Sequence, residues 1–332
     1  MGNHAKSRDR VWSIVLAGGE GERVRPFVQR WLGRQKPKQY CTFVGTRSLF
    51  QHTLDRADRL TAPDHKAIVI ARSHAWEAWP QLGQRPCGMV ILQPANRDTA
   101  PGIFLPLTYI RARDAQATVV IYPSDHFVYP EHRFLDSVQR AIWTAEWLPD
   151  RLVLLGVSPD RLELDYGWIA PGEQLDRSSN YRIHAVRAFL EKPTSAEADA
   201  ALAAGALWNT LVVVAKVETL WELGWQCFSD LMPCFERLHA MIGTSYETRI
   251  LESIYVEIQN HNFSSELLQR IPERIAVVEM NGVLWSDWGK PERIANTLRQ
   301  IGRQPAFPLA CLNRPFAPLQ HSIADGGIMA NL

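Results

Sequence analysis

Three glycines stand in the run Leu16-Ala17-Gly18-Gly19-Glu20-Gly21-Glu22-Arg23, directly after a short apolar stretch, and Arg25, Lys36 and Lys38 follow soon after. Without a Cβ at 18, 19 and 21, backbone N–H groups can converge on an anion, and the cations supply fixed positive charge beside them. That is the outline of a phosphate cradle. A Walker A loop would need G-K-S/T, which does not occur, and the G-x-G-x-x-G dinucleotide fingerprint has Val24 where its third glycine belongs. A tight strand-to-loop turn would use the same glycines; Pro26 and Lys36-Pro37-Lys38 speak for the cradle. Asp125 follows Pro123-Ser124 at the end of a β-branched run, where open α/β sheets hold their ligands. By type and place alone it is a turn former, a cap or a ligand. His126 beside it has no partner spacing for zinc.

The elements that must position these groups alternate between short β-branched runs and longer segments of helical period, the pattern of an α/β protein with a mainly parallel sheet. Strands are predicted over Val11 to Leu16, Ala67 to Ala71, Met89 to Leu92, Thr118 to Tyr122 and Leu152 to Val157. Leu49, Thr53, Ala57 and Leu60 recur at helical spacing, Thr99 reads as an N-cap before Ala100-Pro101 for a helix to about Arg113, and Ser195 opens an alanine-rich helix. Further on, 181–190 and 211–217 read as strands, 219–269 as helix-rich, 275–278 and 284–285 as strands, and 291–301 as a closing helix. The polar residues 1–10 precede the first strand, and the proline-bearing stretch 303–332 reads as an irregular tail.

Composition narrows the partners. The chain has 332 residues, 46% apolar and 21% charged, with 36 − 35 = +1 net charge, so no basic excess exists to coat a nucleic acid. Any anionic ligand must be met locally by a few cations, which suits a small phosphate-bearing substrate. No apolar run approaches the roughly 20 residues of a membrane span, and the start carries no signal-peptide pattern. Five cysteines without C-x-x-C spacing read as reduced thiols of a cytoplasmic protein.

Leu16 to Pro26, with Pro37-Lys38-Gln39-Tyr40 downstream, resembles the L-A-G-G-x-G-T-R-L-x-P and P-K signature of the sugar-1-phosphate nucleotidyltransferases, in particular the mannose-1-phosphate guanylyltransferase branch. The likeness continues in order through Gln93-Pro94-Ala95-Asn96-Arg97-Asp98-Thr99-Ala100-Pro101, Pro123-Ser124-Asp125-His126 and Tyr166-Gly167-Trp168-Ile169. Phe189-Leu190-Glu191-Lys192-Pro193, Trp208-Asn209-Thr210 and Trp285-Ser286-Asp287-Trp288-Gly289 complete it. The resemblance implies a Rossmann-like, GT-A-like mixed sheet flanked by helices, forming a single catalytic domain over residues 11–302 with a helix-rich C-terminal part. It also implies a reaction: an NTP and a sugar 1-phosphate give an NDP-sugar and pyrophosphate.

Carried over residue by residue, the resemblance makes Arg23, Lys38 and Asp125 catalytic and Asp125 with Asp287 the carboxylates for Mg²⁺. It places the nucleotide on Leu16, Ala17, Gly18, Gly19, Gly21, Arg23, Arg97 and Thr99, and the sugar phosphate on Gly167, Glu191, Lys192 and Asn209. Gly21 is expected to matter to ligand approach and not to folding, and the two carboxylates to turnover and little to stability. The chain departs from the family pattern at Glu22 for Thr, Arg25 for an aromatic residue, Asp98 for Asn, Asp165 for Gly, and Thr210-Leu211 for Ser-Gly. Leu211, two positions after Asn209 in a strand, is expected to share its face and narrow the sugar space. The extended C-terminal domain of many bacterial relatives has no counterpart here, so the expectation is a catalytic core alone. GTP and a mannose-like phosphate are the first expectation for substrates; a non-catalytic nucleotide or nucleotide-sugar binding regulator is the alternative, and self-association stays open.

Overall fold

The apolar runs become strands of one large sheet in the computed structural model, which describes residues 10–176 and 182–312. Its strands are β1 (Val11–Ala17), β2 (Lys66–Ala71), β3 (Met89–Gln93), β4 (Thr118–Pro123), β5 (Phe127–Tyr129), β6 (Leu152–Val157), β7 (Gly167–Gln174), β8 (Ile183–Glu191), β9 (Leu207–Lys216), β10 (Ile275–Glu279) and β11 (Leu284–Ser286). The helices are α1 (Arg25–Leu32), α2 (Leu49–Asp58), α3 (Ala75–Leu82), α4 (Thr99–Arg113), α5 (Glu131–Trp147), α6 (Ser195–Ala203), α7 (Val217–Cys227), α8 (Met232–His239), α9 (Glu247–Glu257) and α10 (Pro291–Gln300).

Nine strands run in the order β3-β2-β1-β4-β9-β6-β10-β8-β7, and β5 with β11 forms a separate antiparallel pair. Strands β3, β2, β1 and β4 are parallel throughout. The expectation of a mainly parallel sheet holds for that half and needs correction beyond it. There β9 runs antiparallel to both neighbours, β6 and β10 form a parallel pair, and β8 and β7 are antiparallel. Hydrophobic alternation marks a strand and carries no information about its direction, so the second half could not be oriented from pattern alone. The pattern also passes over β7, which Pro171 and Gly172 interrupt with register shifts. It misses α1, α3 and α5 as well.

Both faces of the sheet are covered, which is why its central strands read as continuous apolar runs. Along β1, Trp12 and Ile14 join a layer with α4, α7, α8 and α9, while Val11 and Val15 join a layer with α2, α3, α5 and α6. A third cluster gathers Phe27 and Val28 of α1, Phe43, Trp288 and Ile294 of α10. Residues 303–312 fold back onto it: Phe307 is buried edge-on to Phe27, and Ala306 N–H donates to the Phe43 carbonyl at 2.8 Å. The remainder of the expected tail, 313–332, the extension 1–9 and the start of the expected strand at 181 lie outside the described residues.

Helix α4 is capped one residue earlier than expected. Asp98, in the left-handed region at φ 67, accepts from Thr99 N–H at 2.6 Å, so Thr99 is the first helical residue. Helix α6 likewise begins after Thr194, whose hydroxyl and Glu197 form a capping box.

Candidate active site

In the order β3-β2-β1-β4 the chain leaves β1 to one side and returns on the other, so the β1 and β4 termini form a topological switch point. The glycine loop leaves β1 there, and Ser124-Asp125 leaves β4. Ser124 staples the two together: its N–H and hydroxyl both donate to the Leu16 carbonyl, at 3.1 and 2.6 Å. From the other side Gln39 Nε2 donates to the carbonyls of Ala17 and Gly19 at 3.0 and 2.8 Å, and the Tyr40 hydroxyl donates to Ala17 at 3.0 Å. With its carbonyls turned onto these partners, the loop offers its N–H edge to a ligand.

The three glycines do different work. A Cβ at Gly19 would meet nothing within 4 Å, whereas one at Gly18 would sit 3.1 Å from Gln93 Oε1. Gly21 lies at φ 62, and a Cβ there would come within 2.9 Å of Lys38 Cβ and 3.0 Å of its backbone nitrogen. The expectation that Gly21 does not matter to folding is therefore corrected: it also lets the loop pack against Lys38.

Lys38 is buried, with Nζ 2.7 Å from Asp125 Oδ2, and it also donates to the backbone carbonyl of Asp287. One ammonium thus ties together two aspartates, one by its carboxylate and the other by its backbone carbonyl, that are 162 residues apart in sequence (287 − 125). Asp287 Oδ1 accepts from the Tyr166 hydroxyl at 2.6 Å, from Gly289 N–H at 3.0 Å and from Arg293, while Oδ2 accepts from Arg23 at 2.8 Å. Burial pushes the Asp287 carboxyl up, but Lys38, Arg293 and the Tyr166 and Gly289 donors outweigh it and hold the group well below the usual carboxylate range. Burial likewise opposes ionisation of Asp125, and the Lys38 ammonium overcomes it. The His126 imidazole is pushed down, mainly by burial.

Arg293 and Glu163 form a buried ion pair behind Asp287, and Tyr166 joins them; the sequence alone marks none of the three as a site residue. Tyr166 opens one of the quoted motifs, a signal available there. Arg293 lies within α10 with no local feature beyond its helix. Arg23 is half exposed and bridges Asp287 to Asp165, 3.5 Å away. Gly289 makes room for it, since a Cβ at 289 would fall 2.8 Å from the Arg23 guanidinium carbon.

A pocket of about 540 Å³ opens between the glycine loop and the start of α4, lined in part by Leu16, Gly18, Gly19, Gln93, Thr99 and Asn260. Of the expected nucleotide residues, Leu16, Gly18, Gly19 and Thr99 face it directly, with Ala17, Gly21 and Arg23 in the adjoining loop. Arg97 does not line it. Its guanidinium donates twice to the Tyr255 carbonyl, at 3.2 and 2.9 Å, near the negative C-terminal end of α9.

On the sugar side, a Cβ at Gly167 would meet Phe189 at 2.8 Å, Glu191 Oε2 at 3.0 Å and Asn209 Cβ at 3.3 Å, so three of the four expected residues converge. Lys192 is exposed, at φ 48, its N–H donating to the Tyr166 carbonyl at 3.3 Å. The Glu191 carboxyl is raised, first by burial, with Lys192 opposing and Asp98 adding to the rise. Asp98 also lines the pocket beside the glycine loop, so that pocket lies next to the Glu191 carboxyl.

Strand β9 is irregular at Leu211. Opposite a register shift in β6, Leu211 takes φ 54, and its N–H donates to Asn209 Oδ1 at 3.1 Å. Its half-buried side chain leans on the α4-side apolar layer. The regular alternation expected for 209 and 211 is therefore replaced by a left-handed kink.

The donor set has a defined limit. Among the described residues no group of three or more His, Cys, Asp or Glu could hold a metal ion. A divalent cation here would be held by one or two carboxylates, with substrate oxygens and water completing its shell, as suits a small hard ion.

A glycine loop at a switch point, facing a lysine that joins two aspartates, suits a protein that handles nucleoside phosphates. The family model for nucleotidyl transferases matches residues 12–304, and the chain belongs to that family. It is 26% identical over 283 residues to an Escherichia coli mannose-1-phosphate guanylyltransferase, covering 83% of this chain and 59% of that protein. It is 34% identical over 206 residues to the xanthan biosynthesis protein XanB of Xanthomonas campestris, covering 60% of this chain and 41% of that one. The chain thus spans about three fifths or less of the length of these two relatives. The crystal structure of mannose-1-phosphate geranyltransferase from Thermus thermophilus superposes with a TM-score of 0.72 at 26% identity, over 86% of this chain and 79% of that one.

Proposed function

We propose that this chain transfers a nucleotidyl group from an NTP to a sugar 1-phosphate, releasing pyrophosphate, with GTP and a mannose-like phosphate as the favoured pair. The observation that carries the reading is the Lys38 bridge joining Asp125 to Asp287 beside the glycine loop. A sugar phosphate oxygen, with a second pKa of about 6, is already ionised at neutral pH. No general base is needed. That oxygen forms a bond to the α-phosphorus as the bond from the α-phosphorus to pyrophosphate breaks, and the task is to hold two polyanions together while charge builds on the leaving group.

The glycine loop would take the triphosphate on its N–H edge, and Arg23, half exposed, is free to turn from Asp287 toward it. Lys38 keeps the carboxylates at 125 and 287 ionised and together. Both are hard oxygen donors, and the set fits Mg²⁺, which when bound would screen phosphate charge. Gly167, Glu191 and Asn209 would orient the sugar. The alternative, a non-catalytic nucleotide-binding regulator, would not need a second ionised carboxylate held by Arg293, Tyr166 and Lys38. All five cysteines are free thiols, which supports a cytoplasmic setting, and no helix among the described residues is long and apolar enough to cross a membrane. The test is pyrophosphate release from each of four NTPs against a panel of sugar 1-phosphates with Mg²⁺. Release with GTP and mannose 1-phosphate supports the reading; binding of NTP without release under any pairing overturns it in favour of the regulator.

A further inference from the structure

Residues 97–100, of which Asp98 and Thr99 line the nucleotide pocket, do not stand on their own. Ala100 N–H donates to the His261 carbonyl at 3.0 Å, and His261 N–H donates to the Arg97 carbonyl at 3.1 Å, a two-bond ladder between them and residues 258–263. Phe263 N–H donates to Thr99 Oγ1 at 2.8 Å, and Asn262 Nδ2 reaches both Asp98 oxygens, at 3.4 and 3.3 Å. Asn260, on the same stretch, lines the pocket. Ile258 and Phe263 bury their side chains in the core, and between them His261 adds a side-chain anchor. His261 Nδ1 lies 2.8 Å from Glu266 Oε2 and Nε2 lies 3.0 Å from Asp230 Oδ2, with the ring edge-on to Phe228. Glu266 uses its other oxygen on Asn262 N–H, at 2.6 Å.

We propose that His261 is a positioning residue for the nucleotide site: as imidazolium it clamps residues 258–263 between Asp230 and Glu266, and so fixes residues 97–100, of which Asp98 and Thr99 stand in the pocket wall. The inference rests on the reading of this pocket as the nucleotide site. A neutral imidazole has one N–H and one lone pair, so it cannot donate to both carboxylates; only the cation satisfies both distances. Burial pushes the imidazole down, but the Glu266 and Asp230 carboxylates outweigh it, and the ring titrates above its ordinary 6.5. The charged groups facing it are Asp230 from the α7–α8 turn and Glu266 from its own segment. Arg97 is committed to the Tyr255 carbonyl, and Asp98 to Asn262. The sign follows: the clamp is complete below pH 6.5 and loosens as pH rises through the folded value.

The experiment compares the full chain with His261→Gln in NTP binding by calorimetry and in pyrophosphate release, from pH 6 to 8.5. Taking the ratio of the two proteins at each pH cancels the titration of the nucleotide itself. The expected ratio is about fivefold tighter binding by the parent at pH 6, the scale of one net hydrogen bond, shrinking toward one at pH 8.5. KM for the NTP should move and kcat should not. Asp230→Asn, at an exposed carboxylate, should fold normally and shift the inflection to lower pH. A ratio that is flat across the range, or an inflection that Asp230→Asn leaves in place, overturns the clamp. If the parent binds no NTP at all, the functional reading has failed separately, and NMR of the ligand-free chain decides the clamp. The Ala100 and Phe263 amides should then titrate with the His261 ring; a ring that titrates alone refutes the coupling.

Discussion

Asp287→Asn should cost stability as well as turnover, although a metal carboxylate at a turn would be expected to matter to turnover alone. The carboxylate is 5% exposed and accepts from Tyr166, Gly289, Arg293 and Arg23. Removing one partner of a buried ion pair costs about 3–5 kcal/mol. Here Arg293 keeps Glu163 as a second partner, and Arg23 is exposed enough to turn to water, so about 2–3 kcal/mol is a fair share of that range. At about 2–4 °C per kcal/mol for a large domain, the melting temperature at pH 7 should fall by roughly 4–12 °C. The Asp287 carboxyl is depressed in the fold, so its contribution is full above the unfolded value near 4 and is lost as pH falls through the folded value. The deficit of the variant should therefore be constant from pH 5 to 8 and shrink in acid. Glu163→Gln serves as the control: it loosens the same arginine from behind and touches no group that faces the substrates. Calorimetric melting should show both variants destabilised, while pyrophosphate release should collapse in Asp287→Asn and survive largely in Glu163→Gln. An Asp287→Asn protein that melts within 1 °C of the parent at pH 7 would refute the electrostatic account of this network.

The glycines separate cleanly. Gly19→Val, where the space is open, should keep the parent's melting temperature and lose NTP binding by at least tenfold in calorimetry. Gly21→Ala, at φ 62 and against Lys38, should cost about 1–2 kcal/mol of stability, read by urea unfolding; an unchanged midpoint would return Gly21 to a purely ligand-facing role. Leu211→Gly should raise kcat/KM for a hexose 1-phosphate by about tenfold, because glycine accepts φ 54 without a side chain beside Asn209; equal activity would mean that Leu211 serves the apolar layer alone.

What the sequence carried well was whatever depends on short-range pattern. The first four strands of the parallel half, the glycine loop and the helix after Asp98 each announce themselves within a dozen residues. The convergence of Gly167, Glu191 and Asn209 came from motif order, and β7 and β9 meet through Trp168 opposite Trp208 as that order requires. The hidden parts depend on contacts across long separations. Nothing near Arg293 says that it will reach Asp287 and Glu163, and nothing near His261 says that residues 97–100 will lean on it. Arg97 misleads for the same reason: an arginine inside a ligand motif looks like a ligand group, and only the arrival of the α9 carboxyl end gives its guanidinium another acceptor.

The departures from the family pattern become intelligible in pairs. Glu22 places a carboxylate in the phosphate loop, but its side chain is 77% exposed, and Arg25, the neighbouring departure, lies between Glu20 at 3.4 Å and Glu22 at 3.8 Å. The positive charge added at 25 offsets the negative charge added at 22. Asp165 is met by Lys290 at 3.0 Å and by Arg23, and its carboxyl is held down first by the Lys290 hydrogen bond. It therefore helps to hold Arg23 over Asp287. Leu211 has no such partner. A leucine at φ 54 carries a strain of about 1–2 kcal/mol that glycine would not, and strain of this kind persists where surrounding structure imposes it, most often at functional sites. The phosphate end of the site has thus changed by compensated substitutions that preserve its charge, whereas the sugar end has changed by an uncompensated one that alters its shape. Under the proposed function, any divergence of this chain from its relatives would lie in the sugar phosphate accepted, and the transfer chemistry would be the part retained.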